Sequence, residues 1–347
     1  MTEPDVSATR REGSGGLLPL RHRAFDILGS EYLVLVLTIL YFLVLWPIVP
    51  AIAAPATLLD IIAYMGPLLV VAIGQTFVLI VAGIDLSAPS VLAISAVVAA
   101  SIMTADNGYL ANTPFAVPGG LLSFLVIGGA IGWLNGAAVT ALKMPPFIVT
   151  LSTMMFFSGA AIWYTAAHTD ATSIGDLPPA FIAIGQTESG GGVIALSIAA
   201  VVTVLGHLTL SRTVFGRWLY AIGANPVAAE ISGVPVRRAV TWAFVISGFC
   251  TAIASILYTG RLETGSPVLG QRILLDIIGA AVIGGVSLFG GKGKVIWTLF
   301  GVLFLSVIDK SLQLLGLSQF WVLVIKGCVI LAAAIADATR HRLLTRQ

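Results

Sequence analysis

Ten apolar runs, most of them near the roughly 20 residues that a helix needs to cross a bilayer, follow one another along this chain and leave little else to fold. They cover 32–54, 58–82, 87–104, 117–142, 146–166, 192–211, 238–260, 271–290, 295–315 and 319–338. In lipid every backbone polar group must be satisfied inside the segment, and barrel strands would be shorter and would alternate. The runs therefore predict an all-α, polytopic membrane protein with about ten transmembrane helices. Composition agrees, with 58% of the 347 residues hydrophobic and 10% charged. Water-soluble domains are near half apolar and a quarter charged. The pairs 58–104 and 271–315 are nearly continuous, which leaves room for broken or re-entrant helices.

Charge placement orients the runs. Arg10, Arg11, Arg21 and Arg23 precede the first run, and Lys143, Arg212, Arg217, Arg237, Arg238, Lys292 and Lys294 fall in alternate connections. Arg340, Arg342 and Arg346 close the chain. Only Arg261 and Arg272 fall on the other side, while Lys310 and Lys326 lie within runs. Cytoplasmic loops carry the Lys and Arg excess, so both termini are expected in the cytoplasm. The domain reading is a polar cytoplasmic tail over 1–31, a transmembrane domain over 32–338 and a short cytoplasmic tail over 339–347. The first run is expected to stay as a helix and not to be cleaved as a leader. The stretch 167–191 becomes the main external loop and 212–237 the largest internal one. A net charge of +2 gives no footprint for nucleic acid. Cys250 and Cys328, both in apolar runs, are expected as buried free thiols.

One segment does not belong in lipid. Asn225 before Pro226 is an N-cap with proline at the first helical position, and Gly233 followed by Pro235 is a stop. Between them Val227, Ala228, Ala229, Glu230, Ile231 and Ser232 complete about two turns, roughly 10 Å. A helix that short is not stable alone in water, so something must pack on it. Val227 and Ile231, at i and i+4, give it one small apolar face, and Ala228 and Ala229 allow close approach. A helix lying on headgroups, a loop folded on its own bundle and a partner-docking knob all fit.

Several stretches now carry a resemblance. GQTFVLIVAGIDLSAPSVLAISAVVAA (74–100), LKMPPFIVTLSTMMFFSGAAIWYT (142–165), GRWLYAIGANPVAAEISGVPVRR (216–238), LLDIIGAAVIGGVSLFGGKGKV (274–295) and WVLVIKGCVILAAAIAD (321–337) resemble the permease subunits of ribose-type sugar ABC importers. The matches recur in order over roughly 58–338 and spare the N-terminal tail and the 167–191 loop. The resemblance implies a dimeric permease, paired with itself or with a sister chain, in a bacterial inner membrane. It would be fed by an extracytoplasmic sugar-binding protein and driven by separate ABC ATPase subunits that bind the ATP and Mg. By the same resemblance, Asn225–Gly233 is the coupling helix that the ATPase grips.

The chain is not expected to be an enzyme or to bind a cofactor or metal itself. GVSLFGGKGKV has the glycines and lysines of a phosphate loop in the wrong register, since Gly293 and Val295 follow Lys292 and Lys294 where Ser or Thr is required. It reads as a flexible glycine-rich turn. The four histidines are scattered and no catalytic triad is visible.

Candidates for the solute path are the polar and aromatic residues inside the runs. Gln75 and Thr76 either line it or glue helices by hydrogen bonds. Asp85 and Ser87 suit a helix start, by dipole and by capping, or a gate. Asn135, Thr150 and Thr153 offer amide and hydroxyl groups, and Phe147 offers a face for a sugar's C–H surface or plain packing. Asp309 and Lys310 are expected as a mutual ion pair, or with Lys326 as lysines reaching for headgroups. The pentapeptide LLDII, at 58–62 and again at 274–278, suggests an internal repeat that would give Asp60 and Asp276 related places near the external mouth.

Overall fold

The computed structural model describes residues 32–186 and 191–345. The predicted N-terminal tail, with its four arginines, and residues 187–190 of the predicted external loop lie outside them.

Thirteen helices make up the described residues, with one isolated bridge, Ile174 to Gly265, and no strand. They are α1 (Leu33–Leu45), α2 (Pro55–Ile80), α3 (Ala88–Met103), α4 (Ala116–Ala141), α5 (Pro146–His168), α6 (Pro179–Gly185) and α7 (Gly191–Arg212). After these come α8 (Val214–Ala224), α9 (Pro226–Ile231), α10 (Val236–Leu262), α11 (Leu274–Gly284), α12 (Val295–Leu314) and α13 (Gln319–Thr345).

Seven of them, α2, α4, α5, α7, α10, α12 and α13, are long and apolar enough to span a membrane. The other three expected spans are shorter. The first run breaks, because Pro47 and Pro50 disfavour helix at the residues before them, and a 3-10 turn over Pro50–Ala53 replaces the second half. α3 has 16 residues and α11 has 11. The helix that ends the chain does not stop at 338 but continues to Thr345.

α2 and α10 form the centre, with α3, α4, α11 and α12 packed around them. α4 and α10 run antiparallel and cross over small residues. Gly128, Gly132 and Gly136 on one helix meet Gly248, Val245 and Thr241 on the other, and a Cβ at Gly128 or Gly248 would strike the opposing glycine's carbonyl. Close backbone approach over small residues is the usual way helices associate without a hydrophobic driving force. Outside this centre large apolar side chains face outward on nearly every long helix, among them Leu122, Phe156, Trp163 and Trp321.

The expected external loop holds α6, which folds back onto the bundle. Phe181 is fully buried and stacks on Phe124, centroids 6.0 Å apart. Of the two thiols, Cys250 is buried as expected and Cys328 is exposed, because α13 is covered on one side only. The glycine-rich turn after α11 is pinned rather than loose. Gly291 N–H donates to Ile80 O at the end of α2, Tyr220 Oη donates to Gly293 O at 2.6 Å, and Asp337 accepts from Leu288 N.

Candidate functional site: a capped helix and a buried polar hub

The short helix predicted between α8 and α10 is present as α9. Asn225 Oδ1 accepts from Val227 N and Ala228 N, both at 3.0 Å, which supplies partners to two of the free N–H groups of a helix start. At the other end Gly233 takes φ +82, a left-handed conformation that glycine adopts without strain, and Val234 N closes onto Ala229 O. Only Ala229 is buried. Val227 keeps 65% and Ile231 83% of its surface open, and Glu230 and Ser232 are exposed as well. The loop is anchored one element back, where Thr213 caps α8 through Gly216 N and Gly223 lies too close to Ile80 O for any side chain. The bundle thus presents a rigid knob whose apolar face is left open.

The second feature lies inside the membrane domain. After α2 ends at Ile80 the chain doubles back, so that Asp85 returns to the level of Gln75. With the Gln75 amide oriented to match donors to acceptors, its nitrogen donates to Asp85 O at 3.1 Å and its oxygen accepts from Asp85 N at 3.2 Å. This clamp satisfies a backbone stretch that no helix covers. The region 58–104 is therefore two helices joined by a re-entrant turn.

Around that turn the polar candidates converge. Asp85 Oδ1 accepts from Ser87 N at 2.9 Å and Ser87 Oγ at 2.6 Å, while Oδ2 accepts from Ser247 Oγ at 2.8 Å. Asn135 Nδ2 donates to Ser87 Oγ, and Thr153 Oγ1 donates to Asn135 Oδ1 at 2.7 Å. Thr150 Oγ1 reaches Ile84 O at 3.1 Å. Thr76, one position on from Gln75, pairs with Thr298 of α12 at 2.7 Å. Ser87 stands at the N-cap position of α3, but its hydroxyl serves Asp85 instead of the helix, and the Asp85 carboxylate takes the Ser87 N–H in its place. Every member of the hub is at most 7% exposed. Sequence reasoning missed Ser247 and Thr298. The available signal was a carboxylate between two closely spaced membrane runs, which requires donors from other helices.

A family model described as a branched-chain amino acid transport system permease component matches residues 57–334. This chain belongs to that family of transport permeases. The ribose import permease protein RbsC of Bacillus subtilis is 36% identical over 315 residues, 89% of this chain and 91% of the relative. That of Haemophilus influenzae is 35% identical over 268 residues, 77% and 80% of the two chains. The galactose/methyl galactoside import permease protein MglC of Haemophilus influenzae is 31% identical over 336 residues, 92% and 97% of the two. No solved structure matches this chain.

In this permease the remaining candidates separate. Phe147 points outward from α5, 52% exposed, away from the hub. Asp309 and Lys310 do not pair with each other, because adjacent helical residues point about 100° apart. Lys310 Nζ instead bonds Asp60 Oδ2 at 2.9 Å, and Lys326 Nζ bonds Asp276 Oδ2 at 2.7 Å and Asp309 Oδ1 at 3.4 Å. The two LLDII aspartates thus each take a lysine from the last two long helices. Lys310 and the Lys326–Asp276 pair border one cavity of about 230 Å³.

Proposed function

We propose that this chain is the membrane-spanning permease subunit of a sugar ABC importer, passing a sugar or polyol handed over by an extracytoplasmic binding protein. The observation that carries the reading is α9, a doubly capped, two-turn helix whose only apolar face is open. Isolated helices of this length do not hold, so its caps make it rigid and its exposed Val227 and Ile231 leave it a partner to find. Separate ATPase subunits, carrying ATP and Mg, would grip Asn225–Gly233 and pass their closure to the bundle as rigid-body displacement. The link from α9 through the Gly223–Ile80 contact to the end of α2 gives that displacement a path to the Asp85 turn.

Sugar as the substrate class is supported by the names of the relatives, which include ribose, galactose and fructose import permeases. The family model's own description would suit an amino acid, whereas the relatives named above are sugar import permeases. A neutral polyol also suits a bundle in which Lys310 and Lys326 are matched by carboxylates. On this reading the permease works as a dimer in a bacterial inner membrane with both termini in the cytoplasm, as the Lys and Arg placement expects. Gln75, Thr76, Asp85, Ser87, Asn135, Thr150 and Thr153 would meet solute only when α3 and α5 part from α10, and Phe147 would do so from the outer face of α5.

Reconstitution tests the whole. The chain is placed in liposomes with an ATPase and a binding protein encoded beside it, and labelled sugar is supplied. Uptake should require ATP and both partners. Uptake by the chain alone, driven by an ion gradient or by none, would overturn the reading in favour of a secondary transporter.

A further inference from the structure

A broad groove lies on the flank where α4 and α10 cross, and the transport reading makes no use of it. It measures about 630 Å³ and opens sideways. Its walls are two helical stripes, Gly129, Trp133, Ala137 and Thr140 from α4, and Arg238, Trp242, Val245 and Phe249 from α10. From Arg237 to Phe249 the α10 stripe climbs about 18 Å at 1.5 Å per residue, which is roughly the depth of one leaflet of a 30 Å hydrocarbon core. Trp133 and Trp242 are 60% and 57% exposed along it.

Both arginines at its foot are exposed, and neither has a carboxylate partner among the described residues. Thr140 and Thr241, whose hydroxyls meet at 3.1 Å, stand beside them. An apolar slot one leaflet deep that ends in two guanidinium groups without a carboxylate partner among the described residues suits an amphiphile with an anionic head. A soluble anion would leave the slot empty, and a soluble partner could not follow it into lipid. We propose that this groove is a site for an anionic phospholipid, its phosphate held by Arg237 and Arg238 and one acyl chain laid between Trp133 and Trp242 up to Phe249. Basic pockets between membrane helices recognise anionic headgroups through this combination of charge and groove. Arg237 and Thr140 also border the smaller cavity that reaches Pro226 at the start of α9. The bound lipid would therefore sit at the root of the exposed knob.

The test reads lipid proximity and is independent of transport. The full chain is reconstituted in phosphatidylcholine vesicles with a minor share of dibrominated phosphatidylglycerol, whose bromines quench nearby indoles. Wild type should lose more tryptophan fluorescence than the same share of dibrominated phosphatidylcholine removes, and Trp133→Phe/Trp242→Phe should lose that excess. Arg237→Gln/Arg238→Gln should raise the anionic share needed for half of the excess by about 25-fold, at about fivefold per arginine. Equal quenching of the wild type by the two brominated lipids overturns the proposal without any variant. An excess that survives the arginine double variant overturns it too. So does an intermolecular disulfide from Trp242→Cys in a Cys328→Ser background, which would seat a second copy of the chain in the groove.

Discussion

Lys326 Nζ on α13 donates to Asp276 Oδ2 on α11 at 2.7 Å, with only 8% and 13% of the two side chains open. Asp309 of α12 takes the same lysine at 3.4 Å, so one cation joins three helices that otherwise meet through apolar contacts. Removing one member of such a pair leaves a buried charge without compensation. Lys326→Met should therefore destabilise the protein by about 3 kcal/mol, and Lys326→Met/Asp276→Leu should recover most of that loss. Thermal unfolding in detergent, run as a double-mutant cycle, checks this. Additive losses would mean that the two groups do not act as a pair.

The Asp85 hub gives a graded expectation. Ser247→Ala leaves a buried Asp85 side-chain oxygen without its donor and should cost about 2 kcal/mol. Asn135→Leu should cost more, because it removes two buried hydrogen bonds at once, leaving Ser87 Oγ with Asp85 alone and Thr153 Oγ1 with Val149 O alone. Surface polar substitutions such as Ser152→Ala, on the exposed side of α5, should fall within about 0.5 kcal/mol. Unfolding midpoints in denaturant rank the three. An Asn135 variant as stable as Ser152→Ala would show that the hub is not held through that residue.

How far the sequence led depended on the distance over which each feature is written. The α9 knob was legible because its caps, Asn225 and Gly233, lie within ten residues of each other and act on their own backbone. The split of 58–104 was foreseeable from the Gly-Ile-Asp-Leu-Ser interruption, although not the return of Asp85 to Gln75. The partners of the hub were not legible. Asp85 and Ser247 stand 162 positions apart, and Lys310 and Asp60 stand 250 apart, so only the tertiary fold chooses them. The break in the first run was written in Pro47 and Pro50 and was obscured by the strong apolar content around them. The shortness of α11 had the opposite cause. Hydropathy continues past Gly284, while the paired glycines end the helix and let Gly301 of α12 press against Ala280.

Two glycines predict opposite outcomes for the same change. Gly128→Ala would place its Cβ against Gly248 O and within 2.7 Å of Ala252 Cβ, where both neighbours belong to a helix that cannot yield without moving the crossing. Overpacking of this kind costs about 1–3 kcal/mol. Gly159→Ala, on α5, meets nothing within 4 Å and should stabilise the helix by about 1 kcal/mol. The fraction of protein that elutes as a single folded species after heating separates the two. A tolerated Gly128→Val would place the α4–α10 contact elsewhere.

The final expectation concerns the knob itself and separates docking from folding. Ile231 is 83% exposed, so Ile231→Glu removes no core contact and should leave the unfolding temperature unchanged within about 1 °C. The same change puts a carboxylate on the only open apolar face of α9, and should abolish substrate-stimulated ATP hydrolysis when ATPase and binding protein are added. Asn225→Ala acts differently. It withdraws the acceptor for Val227 N and Ala228 N, costs the helix about 1 kcal/mol, and should weaken coupling in part by fraying the first turn. Glu230→Lys reverses the one charge on the helix and should also uncouple, whereas Gly233→Pro breaks the left-handed stop that fixes the exit angle. Stimulated ATPase activity, set against unfolding temperature for the four variants, decides the matter. Full coupling by Ile231→Glu would mean that the open face of α9 is not where the motor holds the permease, and the docking proposal would fail with the fold intact.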